Sequence, residues 1–346
     1  MASPGRPRRD RRRAWCPGGR SKERDVIGYP TTPGSTLSAV RIAFSIWLAA
    51  AHACHTFLVT DPAALWLKQT SFVATDIFIL LSAVSLSLRY TGTIPVTAGA
   101  WLQFMFRRVS RIWPVHALTL AAMAAVSLVS PGPMTAAATA SQVQAWLCQM
   151  ALVQAWGIPS DWTLWNSPTW TLSALVVCYA LYPFLRRLSA WLNRPRWLFF
   201  GALGLYGGLW LAAVALGYNG YGGLLAVPQQ VGVLRAVPLF ALGVLAVPVV
   251  RSGSWIPKSR VLDTLGDATF CLYVIHWPLL KLMENHGLQG WGYCGLSILV
   301  LVAMAHLVRR FVDAPLQQLL RGFEGRIPWP SPAPVKATAA RRSRGS

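Results

Sequence analysis

The chain has 346 residues, 54% of them hydrophobic and 12% charged, with 32 Lys and Arg against 11 Asp and Glu for a formal charge of +21. Soluble domains average about 25% charged residues, which excludes an ordinary soluble enzyme; 17 Trp in so apolar a chain exclude a disordered polycation. A membrane protein with its positive charge confined to a few places fits both numbers.

Residues 1–36 read as a disordered basic tail, Arg-rich at first and then Pro/Gly/Ser/Thr-rich without a hydrophobic period. It has no aromatic platform or attached binding fold, so it points to a cytoplasmic tail and not to nucleic acid. Apolar runs long enough to cross a bilayer, about 20 residues each, predict spans near 37–58, 71–90, 112–130, 168–186, 197–216, 233–250, 262–282 and 291–308. The first contains Ala51-His52-Ala53, which fits a signal-peptidase site, but the basic segment before it is too long for a signal peptide and more spans follow. Residues 143–157 are too short for a span and predict a re-entrant or interfacial helix. The glycines of 217–223 follow no strand, so they are a loop and not a nucleotide cradle. A second basic tail starts near Gly322.

Connections around 107–111, 186–196, 251–260 and from 309 onward are basic, whereas those near 59–70, 131–167, 217–232 and 283–290 hold almost no Lys or Arg beyond Lys68. The alternation predicts an all-α polytopic bundle with both termini cytoplasmic. Its membrane domain covers 37–320, with the second tail over 321–346. The six cysteines show no CxxC pair and read as small core residues without a redox or metal message. No metal site and no cofactor are expected.

Ionisable groups inside spans are expensive and mark function by default. Arg41 and His52 are eleven residues apart, about three helical turns, and so share one face roughly 16 Å apart. Counted from the predicted boundaries, His52 and His276 sit about 22 and 21 Å up the hydrocarbon layer, and Asp76 and Ser173 each lie about 8 Å below its outer limit. Two imidazoles, a carboxylate and a hydroxyl at one depth suit a proton-transfer centre. At the opposite face Arg107, Arg108 and Arg111 stand just before the third span, either as a topology signal or as a phosphate clamp, since guanidinium pairs bidentately with phosphate.

These residues carry a resemblance to the acyltransferase-3 family, membrane proteins that acylate sugars of polysaccharides, lipid-linked glycans or antibiotics. Arg41 and His52 match its Arg-x10-His signature, Asp76-Ile-Phe-Ile-Leu-Leu-Ser-Ala83 its FFxLSG segment, and Arg107-Arg-Val-Ser-Arg-Ile-Trp-Pro114 its RRxxRIxP. Trp170-Thr-Leu-Ser-Ala-Leu-Val-Val-Cys-Tyr179 with Pro183 resembles WSLSxE…YxxxP; the run from Leu265 to His276 with Pro278 resembles LGxxSYxLYLxHxP; Phe311-Val-Asp-Ala-Pro315 resembles VExP. Ala83, Leu175 and Asp313 depart from the family's Gly, Glu and Glu. The family is usually drawn with ten spans, giving an expected range of about eight to ten.

The resemblance implies an acyl-CoA donor from the cytoplasm and a hydroxylated sugar or glycoside acceptor, at a bacterial cell membrane. His52 would deprotonate the acceptor or take the acyl group transiently, with Asp76 orienting it as the acid does in a triad. Arg107, Arg108 and Arg111, with Arg41, would hold the donor's phosphates. Ser173, Trp170, Asn166, Tyr179 and His276 would line the acceptor side, although a small Ser173 also serves close helix packing. Rival readings are a secondary transporter, which internal repeats would favour and the sequence lacks, and an inactive binding protein, suggested by Leu175.

Overall fold

The computed structural model describes residues 34–58, 60–90, 97–129, 136–161, 163–191, 195–215, 232–250, 259–284 and 289–327. Most of both predicted tails, and the 217–223 glycines, lie outside these residues. The described chain is all-helical: α1 Ser35–Phe57, α2 Pro62–Arg89, α3 Ala98–Val129, α4 Ala136–Met150, α5 Trp170–Trp191, α6 Pro195–Ala215, α7 Val233–Leu245, α8 Val247–Val250, α9 Arg260–Glu284, α10 Trp291–Val308 and α11 Ala314–Glu324. A 3-10 turn, Ser167–Thr169, leads into α5, and a π turn, Arg309–Asp313, joins α10 to α11.

Five helical segments among the described residues are long and apolar enough to cross a membrane: Ser35–Phe57, Pro62–Arg89, Ala98–Ser127, Ser167–Trp191 and Trp291–Glu324. The eight predicted spans are therefore matched by five on length and composition. The predicted 233–250 span is broken after Leu245 into α7 and α8. The predicted 262–282 span is α9, which carries Arg260, Asp263, Asp267, Lys281 and Glu284 and is shielded by protein along much of its length. The predicted short element at 143–157 is the end of α4 followed by turns.

α10 shows why this bundle suits a bilayer. Its buried residues are Cys294, Ser297, Leu301 and Ala305, a mostly small stripe at helical spacing, while Leu296, Leu299 and Val300 are exposed. Small residues facing protein and large apolar ones facing outward is the pattern of helices packed in lipid. α1 is sandwiched between α2 and α9. Gly266 of α9 permits that approach, because a Cβ there would come within 2.7 Å of the Ser38 Cβ. Ala83 of α2 faces Gly243 of α7, where an added Cβ would lie 2.8 Å from the Ala83 Cβ and 2.4 Å from the Leu80 carbonyl oxygen. The small partner needed at this crossing is thus supplied by α7.

Two prolines inside helices explain further contacts. Proline lacks an N–H and so frees the carbonyl four residues before it. Pro114 frees Ser110, whose oxygen accepts from Gln317 Nε2 of α11 at 3.0 Å. Pro278 frees Val274, whose oxygen accepts from Asn166 Nδ2 at 2.8 Å. Each of these proline-containing helices is thereby tied to a distant segment. α11 carries this order past the predicted start of the second tail, and its Glu324 accepts from Arg107 Nε.

Candidate functional site

Arg41 and His52 both belong to α1, and the helix is continuous between them, so their spacing of about three turns holds. His52 meets His276 of α9: Nδ1 of His52 lies 2.9 Å from Nε2 of His276, and the rings are stacked at 5.0 Å between centroids. Nδ1 of His276 is 2.6 Å from the Tyr273 carbonyl oxygen. A carbonyl only accepts, so Nδ1 of His276 carries the proton, and in the neutral ring its Nε2 is the acceptor. His52 must then donate from Nδ1, which makes Nε2 the basic nitrogen of His52. The Trp277 ring meets His52 edge-on at 5.3 Å.

The loop between α4 and α5 closes over this pair. Trp277 Nε1 donates to the Trp165 carbonyl at 3.1 Å. Trp165 itself has a φ of 58°, left-handed backbone that costs a non-glycine residue about 1–3 kcal/mol and persists only where its surroundings fix it. Asn166 is wholly buried: its N–H donates to Gln149 Oε1 at 3.1 Å, its Nδ2 holds the Val274 carbonyl, and its Oδ1 has no hydrogen-bond partner. Ser173 is also buried, but its hydroxyl accepts from the Ala155 N–H at 3.1 Å and pins the loop to α5. Trp170 is buried in the core beside it.

Asp76 has a partner the sequence did not suggest. Arg235 of α7 approaches its Oδ1 at 2.7 Å, and both residues are buried, at 8% and 7% exposure. The ring nitrogen that meets His52 in the structure belongs to His276. Arg235 stands inside an apolar run, the same signal that marked Asp76 and His52.

The arginines, expected just before the third span, lie inside the helical segment that replaces it: α3 begins at Ala98 and contains Arg107, Arg108 and Arg111. Two are engaged by carboxylates from the end of the chain. Arg107 pairs with Glu324, and Nη1 of Arg111 lies 2.8 Å from both oxygens of Asp313. Asp313 also accepts from Arg309 at 3.1 Å. Arg108 stacks over the rings of Tyr90 and Phe104 and donates to the Tyr90 hydroxyl at 3.2 Å.

Arg41, Arg89, Arg108 and Arg111 line one cavity of about 200 Å³ together with Tyr179, Asp267 and Tyr273. Arg41 donates to Ser85 there. Nε of Arg89 and Nε of Arg108 are buried without a hydrogen-bond partner. With Arg111 already paired with Asp313, three guanidiniums remain beside the one carboxylate of Asp267, an excess of positive charge that suits an anion with several oxygens. Arg89, at the end of α2, was not singled out by any motif. Leu175 also lines the cavity, so this wall is apolar at the place where the resembling family often carries a carboxylate. The cavity reaches Tyr273, whose hydroxyl donates to the Pro168 carbonyl and pairs with Thr171. His276 is one turn further along α9. The structure therefore brings Arg41, Arg108, Arg111 and Tyr179 to one cavity, and joins His52 and His276 just beyond it.

A family model for an acyltransferase domain matches residues 36–251, more than half of the chain. The match covers α1 to α8 and stops before α9, so His276 and Asp313 lie outside it. No curated protein and no solved structure gives a significant match.

Proposed function

Because the chain belongs to the acyltransferase-3 family, we propose that this multi-pass membrane protein is an O-acyltransferase that moves an acyl group from acyl-CoA to a hydroxyl of a carbohydrate or glycosylated small molecule. The observation that carries the reading is the ordered chain from the Tyr273 carbonyl through His276 to His52, set beside a cavity lined by arginines. The phosphates of the donor sit against Arg41, Arg89 and Arg108, with the thioester directed along the cavity towards His52. Arg107 and Arg111, held by Glu324 and Asp313, fix α3 so that Arg108 faces the cavity. The bacterial cell membrane is the proposed location.

Nε2 of His52 takes the proton of the acceptor hydroxyl as its oxygen attacks the thioester carbon. The C–S bond breaks as the ester C–O bond forms, and the leaving thiolate takes the proton back from His52. His276 keeps His52 in the tautomer that has its lone pair on Nε2, the service a carboxylate performs in a triad. A buried Asn166 Oδ1 beside α9 offers an acceptor for a further hydroxyl of the sugar.

The test is purified protein incubated with acyl-CoA carrying a labelled acyl group and a hydroxylated glycoside. The expected result is a labelled ester together with an equal amount of free CoA thiol. Folded protein that releases neither with any acyl-CoA or glycoside would reject the reading.

A further inference from the structure

We propose that Cys54 and Cys294 are a disulfide-forming pair that locks the end of α1 remote from Arg41 to the start of α10. Their sulfurs lie 3.0 Å apart although 240 positions separate them in sequence, and both side chains are buried. The chain fixes this register independently of the sulfurs. The Gly290 N–H donates to the Phe57 carbonyl at 3.0 Å, and Trp291 Nε1 donates to Asp61 Oδ2 at 3.2 Å. Cys54 lies about one turn before this junction and Cys294 about one turn after it, so antiparallel helix ends bring the two level. A disulfide places its sulfurs about 2.05 Å apart, so closing the pair asks for a movement of about 1 Å, within reach of side-chain rotation at two adjoining helix ends.

In the reaction each thiol gives up its hydrogen and one S–S bond forms. The two electrons and two protons pass to a protein disulfide carrier, whose own S–S bond breaks to a dithiol by thiol–disulfide exchange. Burial makes a finished thiol inert, so the exchange belongs to the moment when α10 docks on α1. The bridge would also hold the turn that carries His52, two residues before Cys54, where Thr56 Oγ1 already donates to the His52 carbonyl at 3.0 Å. Its reach makes it a clamp on the whole bundle, because it closes a loop of 240 positions, and long loops gain most from closure.

The experiment is peptide mapping of the full chain, purified without reductant and denatured in an alkylating agent. The expected product is a cross-linked peptide holding Cys54 and Cys294, two hydrogens lighter than the reduced pair, with Cys148, Cys178 and Cys271 alkylated. Recovery of Cys54 and Cys294 both alkylated, or of either joined to another cysteine, overturns the proposal. A Cys54→Ala, Cys294→Ala double variant supplies the second measurement. It is expected to melt below the wild type without reductant and together with it once both are reduced. An equal deficit under both conditions would mean that the sulfurs serve packing alone and would overturn the clamp.

Discussion

A histidine can hold a neighbour's tautomer as firmly as a carboxylate, provided that its own far nitrogen is fixed. The Tyr273 carbonyl does that for His276, and His276 does it for His52. Replacing His52 with Ala is expected to cost about 10²–10⁴-fold in transfer rate, the usual worth of a positioned general base. His276→Ala acts one step back: kcat is expected to fall while the donor KM stays near wild type, because orientation and not binding is lost. The pair needs one donor and one acceptor nitrogen, so protonating both rings breaks it, and the pH–rate profile of His276→Ala should lose the steepness of the wild-type acid limb. A donor KM raised in parallel with the fall in kcat would assign His276 to binding instead. Arg89→Ala, by contrast, is expected to raise the donor KM with little change in kcat, because the residue lines the cavity and its Nε is buried without a partner. An unchanged KM in steady-state kinetics would remove Arg89 from the phosphate site. The buried Asp76–Arg235 pair makes a different claim, on stability. Arg235→Ala strips a buried carboxylate of its cation and is expected to destabilise the bundle by about 3–5 kcal/mol, read as a lower Tm in detergent.

At the scale of single helices, much was legible and the partners were not. The stretch from Pro62 to residue 70, outside the predicted second span, is helical because Asp61 caps it, its Oδ1 accepting from the Ala63 and Ala64 N–H groups. The basic run at 107–111 was read as lying just before the third span, since arginine often marks the inner boundary of one. Aromatic faces, Asp313 of the π turn and Glu324 of α11 let the helix continue through it. Pro114 and Pro278 could be read from the sequence, whereas the residues that satisfy the freed Ser110 and Val274 carbonyls, Gln317 and Asn166, lie 207 and 108 positions from them. No periodicity carries that information. Asn166→Ala is expected to cost about 1–3 kcal/mol by leaving the buried Val274 carbonyl unpaired, and Gln317→Ala less, because Ser110 is only half-buried, both measured by thermal unfolding. The Asn166 change should also lower kcat, because it loosens α9 beside His276. Loss of stability alone would limit Asn166 to a structural part.

For the whole molecule, composition was enough to announce a membrane protein, and the spacing of Arg41 and His52 was enough to give the axis between cavity and histidines. Depth arithmetic placed His52 and His276 together correctly. Depth says nothing about position around the bundle, so it did not reveal that Asp76 pairs with Arg235 of α7. The charge of +21 takes on a division of labour: part lines the cavity, and part, as in Arg107 and Arg111, is neutralised by Glu324 and Asp313. The segment from Asp313 to Glu324 is thus a brace for the helix that presents Arg108, and its Glu324 falls in the part that composition alone assigns to a tail. The central claim is that His52 carries the chemistry at the end of an arginine-lined donor site. The direct measurement is acyl transfer from acyl-CoA in a single turnover by folded His52→Ala beside wild type, with donor binding followed in the same samples. The account predicts unchanged donor binding and a transfer rate lower by about 10²–10⁴-fold. Transfer at the wild-type rate would contradict it.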